Sequence, residues 1–185
     1  MLVEPIIETP RLALREMTLA DLDFIAGMLA DAEVMWFFDK TYSREEAGAW
    51  IERQQERYAT DGHGYWIVEE KAMRRPVGQA GLLKINLDGI EEVALGYLIH
   101  RQSWRRGFAG EAAGACRDYA FERLAAPRLV CPIRPENHIS QRVALKIGMK
   151  PGQLATFAGF EHLVFVMHRN SSASPDAEAQ PRIAQ

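Results

Sequence analysis

The order of periodic segments predicts a mixed α/β domain built around a mostly antiparallel sheet. Hydrophobic spacing changes at Gly64 from helical repeats to strand alternation. The segments run strand, two helices, three strands, helix, strand, helix, two strands, which suits helices layered on a sheet. The strand VALGYLI also leads through a glycine turn into a small-residue helix and then a further strand, which places parallel pairing near that helix.

RLALRE at 11–16 alternates Leu12 and Leu14 with polar neighbours, the pattern of a half-buried strand. Thr18 is the expected N-cap of the next segment, LADLDFIAGMLADAEVM, where Leu19, Leu22, Ile25, Ala26 and Leu29 recur at helical spacing. Asp21 stands there in place of the usual glutamate of a capping box. Ser43 and Glu46 form a capping box for a second helix, which runs through Trp50, Ile51 and Tyr58 and stops at Gly62 and Gly64. YWIVEEK, PVGQAGLLKI and VALGYLIHR then read as strands, with Asp88-Gly89 marking a hairpin. A helix over 109–124, a strand in PRLVCPI, a short helix in SQRVALKIGMK and two strands turning near Gly159 complete a single domain placed at 1–169. Residues 170–185, NSSASPDAEAQPRIAQ, have no periodicity and are expected to be a disordered tail.

At 185 residues, 48% hydrophobic and 25% charged, the chain has the size and composition of one globular domain. A net charge of −3 argues against nucleic acid or an anionic membrane as partner, so any anion site must be local. Cys116 and Cys131 are too few for a disulfide scaffold or a structural zinc site, and both read as small buried apolar groups. His63 and His100 lack metal-ligand spacing, and no metal is expected. MLVEPIIETP lacks the basic and apolar regions of a signal peptide, and no segment is long enough to span a bilayer, so a cytoplasmic protein is expected.

The densest motif is WRRGFAGEAAGACRDYAF at 104–121. Free N–H groups and the dipole at a helix start favour an anion; Gly107 lets the main chain approach a ligand with no Cβ in the way, and Gly110 keeps the first turn open. Arg105 and Arg106 are cations at the end where cations are disfavoured, so their placement makes sense only beside an anion. Neither G-x-x-x-x-G-K-[ST] nor G-x-G-x-x-G is present, and the turn suits a diphosphate held without a metal.

YLIHRQSWRRGFAGEAA resembles the acetyl-CoA motif of the GNAT superfamily, [QR]-x-x-G-x-[GA] at a strand-to-helix turn, with Trp104 where Gln or Arg is more usual. NHISQRVALKIGM and TPRLALREMTLADLD resemble further segments of the subgroup that contains the ribosomal-protein N-terminal acetyltransferases, and the likeness covers about 8–169. The resemblance implies a GNAT-like, mostly antiparallel, splayed sheet flanked by helices. It implies acetyl-CoA as co-substrate and acetyl transfer to a primary amine, either a protein N-terminal α-amine or a small-molecule amine. By the same resemblance Arg105, Arg106, Gly107, Phe108, Ala109 and Gly110 hold the pyrophosphate, Leu98 and Ile99 pair with pantetheine, and Asn137 contacts the pantetheine arm. Gly110 departs from the Thr or Ser of many relatives and loses a hydroxyl contact to phosphate.

Ala144 occupies the position where many superfamily members carry a general-acid tyrosine. Ser140, one helical turn earlier, is the nearest hydroxyl on that face, either catalytic or a helix cap. Glu92 on the strand before the turn and Glu161 in the last hairpin are candidate bases, with Glu69 and Glu70 as further options; each also reads as a solvated strand carboxylate. VMWFF at 34–38 is core, or a loop that walls an acceptor pocket. Expected partners are acetyl-CoA and an amine, with no nucleic acid or membrane, in a monomer or homodimer. A non-catalytic CoA-binding module is the other class of reading, and release of free thiol in the presence of an amine separates the two.

Overall fold

A computed structural model describes residues 4–169; the tail expected at 170–185 lies outside the described residues. The elements are β1 (Pro5–Glu8), β2 (Leu12–Arg15), α1 (Leu22–Ala30), α2 (Arg44–Asp61), β3 (Tyr65–Glu70), β4 (Arg75–Leu87) and β5 (Ile90–Ile99), followed by α3 (Phe108–Glu122), β6 (Arg128–Ile133), α4 (His138–Lys146), β7 (Lys150–Phe157) and β8 (Phe160–His168). The strands form one sheet in the order β1-β2-β3-β4-β5-β6-β8-β7. Every neighbouring pair is antiparallel except β5–β6, as the sequence leads one to expect.

Helix starts follow their caps. Ser43 Oγ accepts from the Glu46 N–H at 3.2 Å while Glu46 Oε2 accepts from the Ser43 N–H at 2.8 Å. Asp21 accepts from the Thr18 N–H at 2.8 Å, but this end opens as a short 3₁₀ turn at Leu19–Asp21 before α1 begins. α1 is shorter than its periodicity suggests, because Asp31 is extended and Val34 and Met35 enter the core from turns. β1 is a strand that sequence reading does not find; it has four residues, and only Ile7 among them is half-buried.

The alanines of α3 have a packing reason. Ala112, Ala113, Cys116 and Ala120 are fully buried against Leu12, Leu14, Ala80, Leu82 and Leu95, so the helix lies close on the sheet. α1 and α2 cover the opposite face through Ile25, Met28, Leu29, Ala47 and Ile51 against Ile67. Cys116 and Cys131 are buried, unbridged thiols. Among the described residues no helix is long and apolar enough to cross a membrane.

Candidate functional site

The centre of the sheet is forked. β5 and β6 pair at only two positions, Val93↔Leu129 and Ala94↔Val130. Beyond Ala94, β5 stays on β4 as far as Ile99, while β6 stays on β8 from Arg128 to Ile133. The His100 N–H donates to Val77 O at 2.9 Å, which fixes the alternation. Leu98 and Gly96 therefore turn their main-chain groups to β4, and Tyr97 and Ile99 turn theirs into the fork. The Trp104 indole Nε1 donates to the Ile99 carbonyl at 2.7 Å, leaving the Ile99 N–H and both Tyr97 groups on the open edge. Of the two strand residues matched to pantetheine, Ile99 thus faces the fork with its main chain, whereas Leu98 packs its side chain among the α1–α2 residues.

The turn from β5 into α3 lies at the mouth of this fork. Gly107 is its N-cap at φ +81°, with no side chain to satisfy the first helical amides. The N–H groups of Phe108, Ala109 and Gly110 precede the first intrahelical bond, which runs from Glu111 N to Gly107 O at 3.2 Å. Phe108 itself is buried in the core and anchors the turn, while Ala109 and Gly110 stay half-buried.

The two arginines have different tasks. Arg106 Nη1 donates to Glu70 Oε2 at 3.0 Å and its guanidinium lies 4.5 Å over the Phe108 ring. Arg105 is exposed at φ +61° and has no ion-pair partner among the described residues. Arg11 holds the turn from behind: Nη1 donates to the Arg106 carbonyl at 2.9 Å and Nε donates to Glu111 Oε2 at 2.6 Å. Thr9 Oγ1 donates to the other Glu111 oxygen at 2.6 Å. Sequence reasoning offers Glu70 only as a base and passes over Arg11, because both tethers join residues far apart in the chain.

Arg106 keeps the Glu70 carboxyl below the ordinary carboxylate range. With its folded value depressed, the tether's contribution is present at neutral pH and is lost on acidification below about pH 4. Arg105→Ala should raise the CoA Kd by up to about five-fold, less at high salt, with melting temperature unchanged. Arg106→Ala should also lower the melting temperature, since Glu70, 5% exposed, loses its main partner. Titration calorimetry and thermal melts on the same pair separate the roles; equal melting points would contradict the tether.

α4 closes the fork from the α3 side. Asn137 is its N-cap, with Oδ1 accepting from the Ser140 N–H at 3.1 Å. Ser140 is therefore the capped residue and not the cap. Its carbonyl accepts from the Tyr97 hydroxyl at 2.8 Å, which ties α4 to the free half of β5. Ala144 is fully buried and supplies no hydroxyl. Asn137→Ala should cost about 1 kcal/mol of stability through the lost cap, and should also raise the CoA Kd if its amide contacts pantetheine; a lower melting point with unchanged affinity would confine it to capping.

The acidic candidates are dispersed. Glu92 lies before the paired segment and bonds Arg128 at 3.0 Å, about 13 Å of strand from Gly96. The structure does not bring it to the open part of the fork. Glu161 is exposed at the β7–β8 hairpin, on the end of the sheet where β6 finishes. Glu69 pairs with Arg15 at 2.8 Å. His63 Nδ1 is 2.8 Å from the Leu82 carbonyl, and no group of three or more His, Cys, Asp or Glu among the described residues could hold a metal. VMWFF divides: Val34 and Met35 are core, while Trp36 is 75% exposed.

Residues 11–150 match the family described as "Acetyltransferase (GNAT) domain". The protein YkkB of Bacillus subtilis (strain 168) is 32% identical over 142 residues, which span 76% of this chain and 83% of that protein. The crystal structure of the acetyltransferase from Agrobacterium tumefaciens str. C58 superposes with a TM-score of 0.78 at 29% identity, covering 91% of this chain and 96% of the other. A proposed ribosomal-protein-serine acetyltransferase from Vibrio cholerae gives a TM-score of 0.76 at 26% identity, covering 89% and 99%.

Proposed function

The chain belongs to the GNAT acetyltransferase family, and we propose that it moves the acetyl group of acetyl-CoA to a primary amine by direct attack within a ternary complex. The observation that carries this reading is the continuity of fork and turn. One strand, β5, presents open main-chain groups at Tyr97 and Ile99 and then runs into the uncapped amides at Gly107–Gly110. A long thioester carrier can pair with the first and rest its diphosphate on the second.

The residues then have defined tasks. Phe108, Ala109 and Gly110 amides and the Arg105 cation hold the diphosphate. Main-chain N–H groups on the fork edge polarise the thioester carbonyl and receive the oxyanion. The acceptor nitrogen forms the new N–C bond, the C–S bond breaks, CoA leaves as thiolate, and the nitrogen loses its proton to solvent or a carboxylate. No protein nucleophile is needed, since holding amine and thioester together supplies much of the rate.

The preferred acceptor is an α-amine or another amine of lowered basicity. An α-amine has a pKa near 8 and a lysine near 10.4, so neutralising lysine costs roughly 3 kcal/mol more. Glu69, Glu70 and Glu92 are each paired with an arginine, which leaves exposed Glu161, at the β7–β8 hairpin, as the one candidate carboxylate to offset that.

Thiol release from acetyl-CoA, measured across peptides, aminoglycosides, polyamines and amino acids, tests the reading. Amine-dependent release with N-acetylated product is expected; CoA binding with no release for any amine would favour a non-catalytic module. CoA affinity is expected to be the same with and without a chelator, and loss of binding on chelation would overturn the metal-free diphosphate site.

A further inference from the structure

A second hydroxyl reaches the fork from the face opposite α3. Tyr65 opens β3 with its main chain held at both groups: its N–H donates to Gln54 Oε1 at 3.0 Å and its carbonyl accepts from the Tyr58 hydroxyl. Its ring stacks on Trp50, with centroids 5.7 Å apart at 17°. Trp50 is fixed in turn, because its Nε1 donates at 3.0 Å to Oε1 of Gln79, a side chain only 3% exposed.

The register explains where the phenol goes. Tyr65 lies opposite Gly81 on β4, and Gly81 lies opposite Gly96 on β5. With neither position carrying a side chain, the ring crosses β4 and sets its hydroxyl over Gly96, where an added Cβ would overlap it. Gly96 is two residues past Ala94, the last residue of β5 that pairs with β6, and it adjoins Tyr97. The hydroxyl therefore stands at the opening of the fork. No described residue hydrogen-bonds to it, and the bonds that Tyr65 does make are those of its main chain. Burial pushes the phenol up to about 12, so it remains neutral, able both to donate and to accept.

The face also matters. Tyr97 and Ile99 pack with the α3 residues, whereas Tyr65 and Leu98 pack with α1 and α2. A carrier whose diphosphate rests at the start of α3 reaches the fork from the α3 side. The second substrate is left the α1–α2 side, where Tyr65 waits. The other phenol at the fork, Tyr97, already donates to the Ser140 carbonyl.

We propose that Tyr65 is a catalytic residue whose hydroxyl oxygen accepts a hydrogen bond from the acceptor amine and so aims the nitrogen lone pair at the thioester carbonyl. This rests on the acetyl-transfer reading above. A neutral primary amine has two N–H groups and one lone pair; engaging one N–H restricts where the lone pair points, which is the orientation that intermolecular attack otherwise lacks.

The test uses the full chain and Tyr65→Phe, with acetyl-CoA and a short peptide bearing a free α-amine, or spermidine if the wild type does not acetylate the peptide. The amine-dependent rate should fall about 10- to 100-fold, the scale of one hydrogen bond at reacting atoms. Melting temperature, CoA Kd and the slow amine-independent hydrolysis of acetyl-CoA should match the wild type. Gly96→Ala, which displaces the phenol without removing it, should lose the same amine-dependent rate. Turnover of Tyr65→Phe within two-fold of wild type would overturn the assignment, as would a loss shared equally by CoA binding and background hydrolysis. A wild type that turns over no amine at all overturns instead the acetyl-transfer reading beneath it.

Discussion

Replacing Gly107 with valine is expected to weaken CoA binding by roughly 1–3 kcal/mol, or about 5- to 150-fold in Kd, in a protein that stays folded. Gly107 has φ +81°, where a β-branched residue is strained whatever space surrounds it. Crowding adds little, since an added Cβ would meet only Arg11 Nη2, at an ordinary 3.4 Å. The turn must then relax by rotating its own peptides, and the Phe108–Gly110 amides lose their common aim at an anion. Gly110→Ala is the control: its Cβ would meet only Lys146 Cδ, at an ordinary 3.8 Å, and CoA affinity should hold. Calorimetric titration of both variants decides the matter. If Gly107→Val binds CoA as wild type does while melting normally, the diphosphate does not rest on this turn.

The contrast between these two glycines also shows what a sequence can and cannot disclose. A positive φ before a helix, two capping residues and a change from helical to strand period are local, and each leaves a mark within a few residues. The fork is not local. Alternation along β5 correctly places Glu92 on the same face as Gly96, yet where β5 parts from β6 depends on β8 holding β6 from the far side. That pairing puts Glu92 beside Arg128 and leaves the open edge to Tyr97 and Ile99. The tethers of the turn are hidden for the same reason, since Arg11 and Glu111 are 100 residues apart. Tyr65 looks like any strand aromatic until the register reveals two bare glycines beside it. β1 escapes notice because a four-residue edge strand with one half-buried side chain has almost no period to detect.

Ser140→Ala should lower kcat about 10- to 100-fold with acetyl-CoA affinity nearly unchanged. Asn137 and Tyr97 fix the main chain of this residue, through its N–H at 3.1 Å and its carbonyl at 2.8 Å, so losing the hydroxyl leaves the helix start in place. Stability should change by less than about 0.5 kcal/mol, as for a substitution that breaks no cap or buried bond. The hydroxyl itself has no hydrogen-bond partner among the described residues, and Ala144 on the next turn offers none to replace it. Its proposed partner is the sulfur of departing CoA. A thiol with pKa near 8.5 leaves tolerably as thiolate at neutral pH, so the usual ~10²–10⁴ gain from proton donation should shrink toward its lower end. That weak demand suits a serine, which stabilises a thiolate by hydrogen bonding better than it protonates one. The two effects of the substitution are therefore expected to separate, with turnover falling at a constant melting temperature. A fall in melting temperature with intact kcat would assign Ser140 to holding α4 against β5, and the sulfur would then depart unaided.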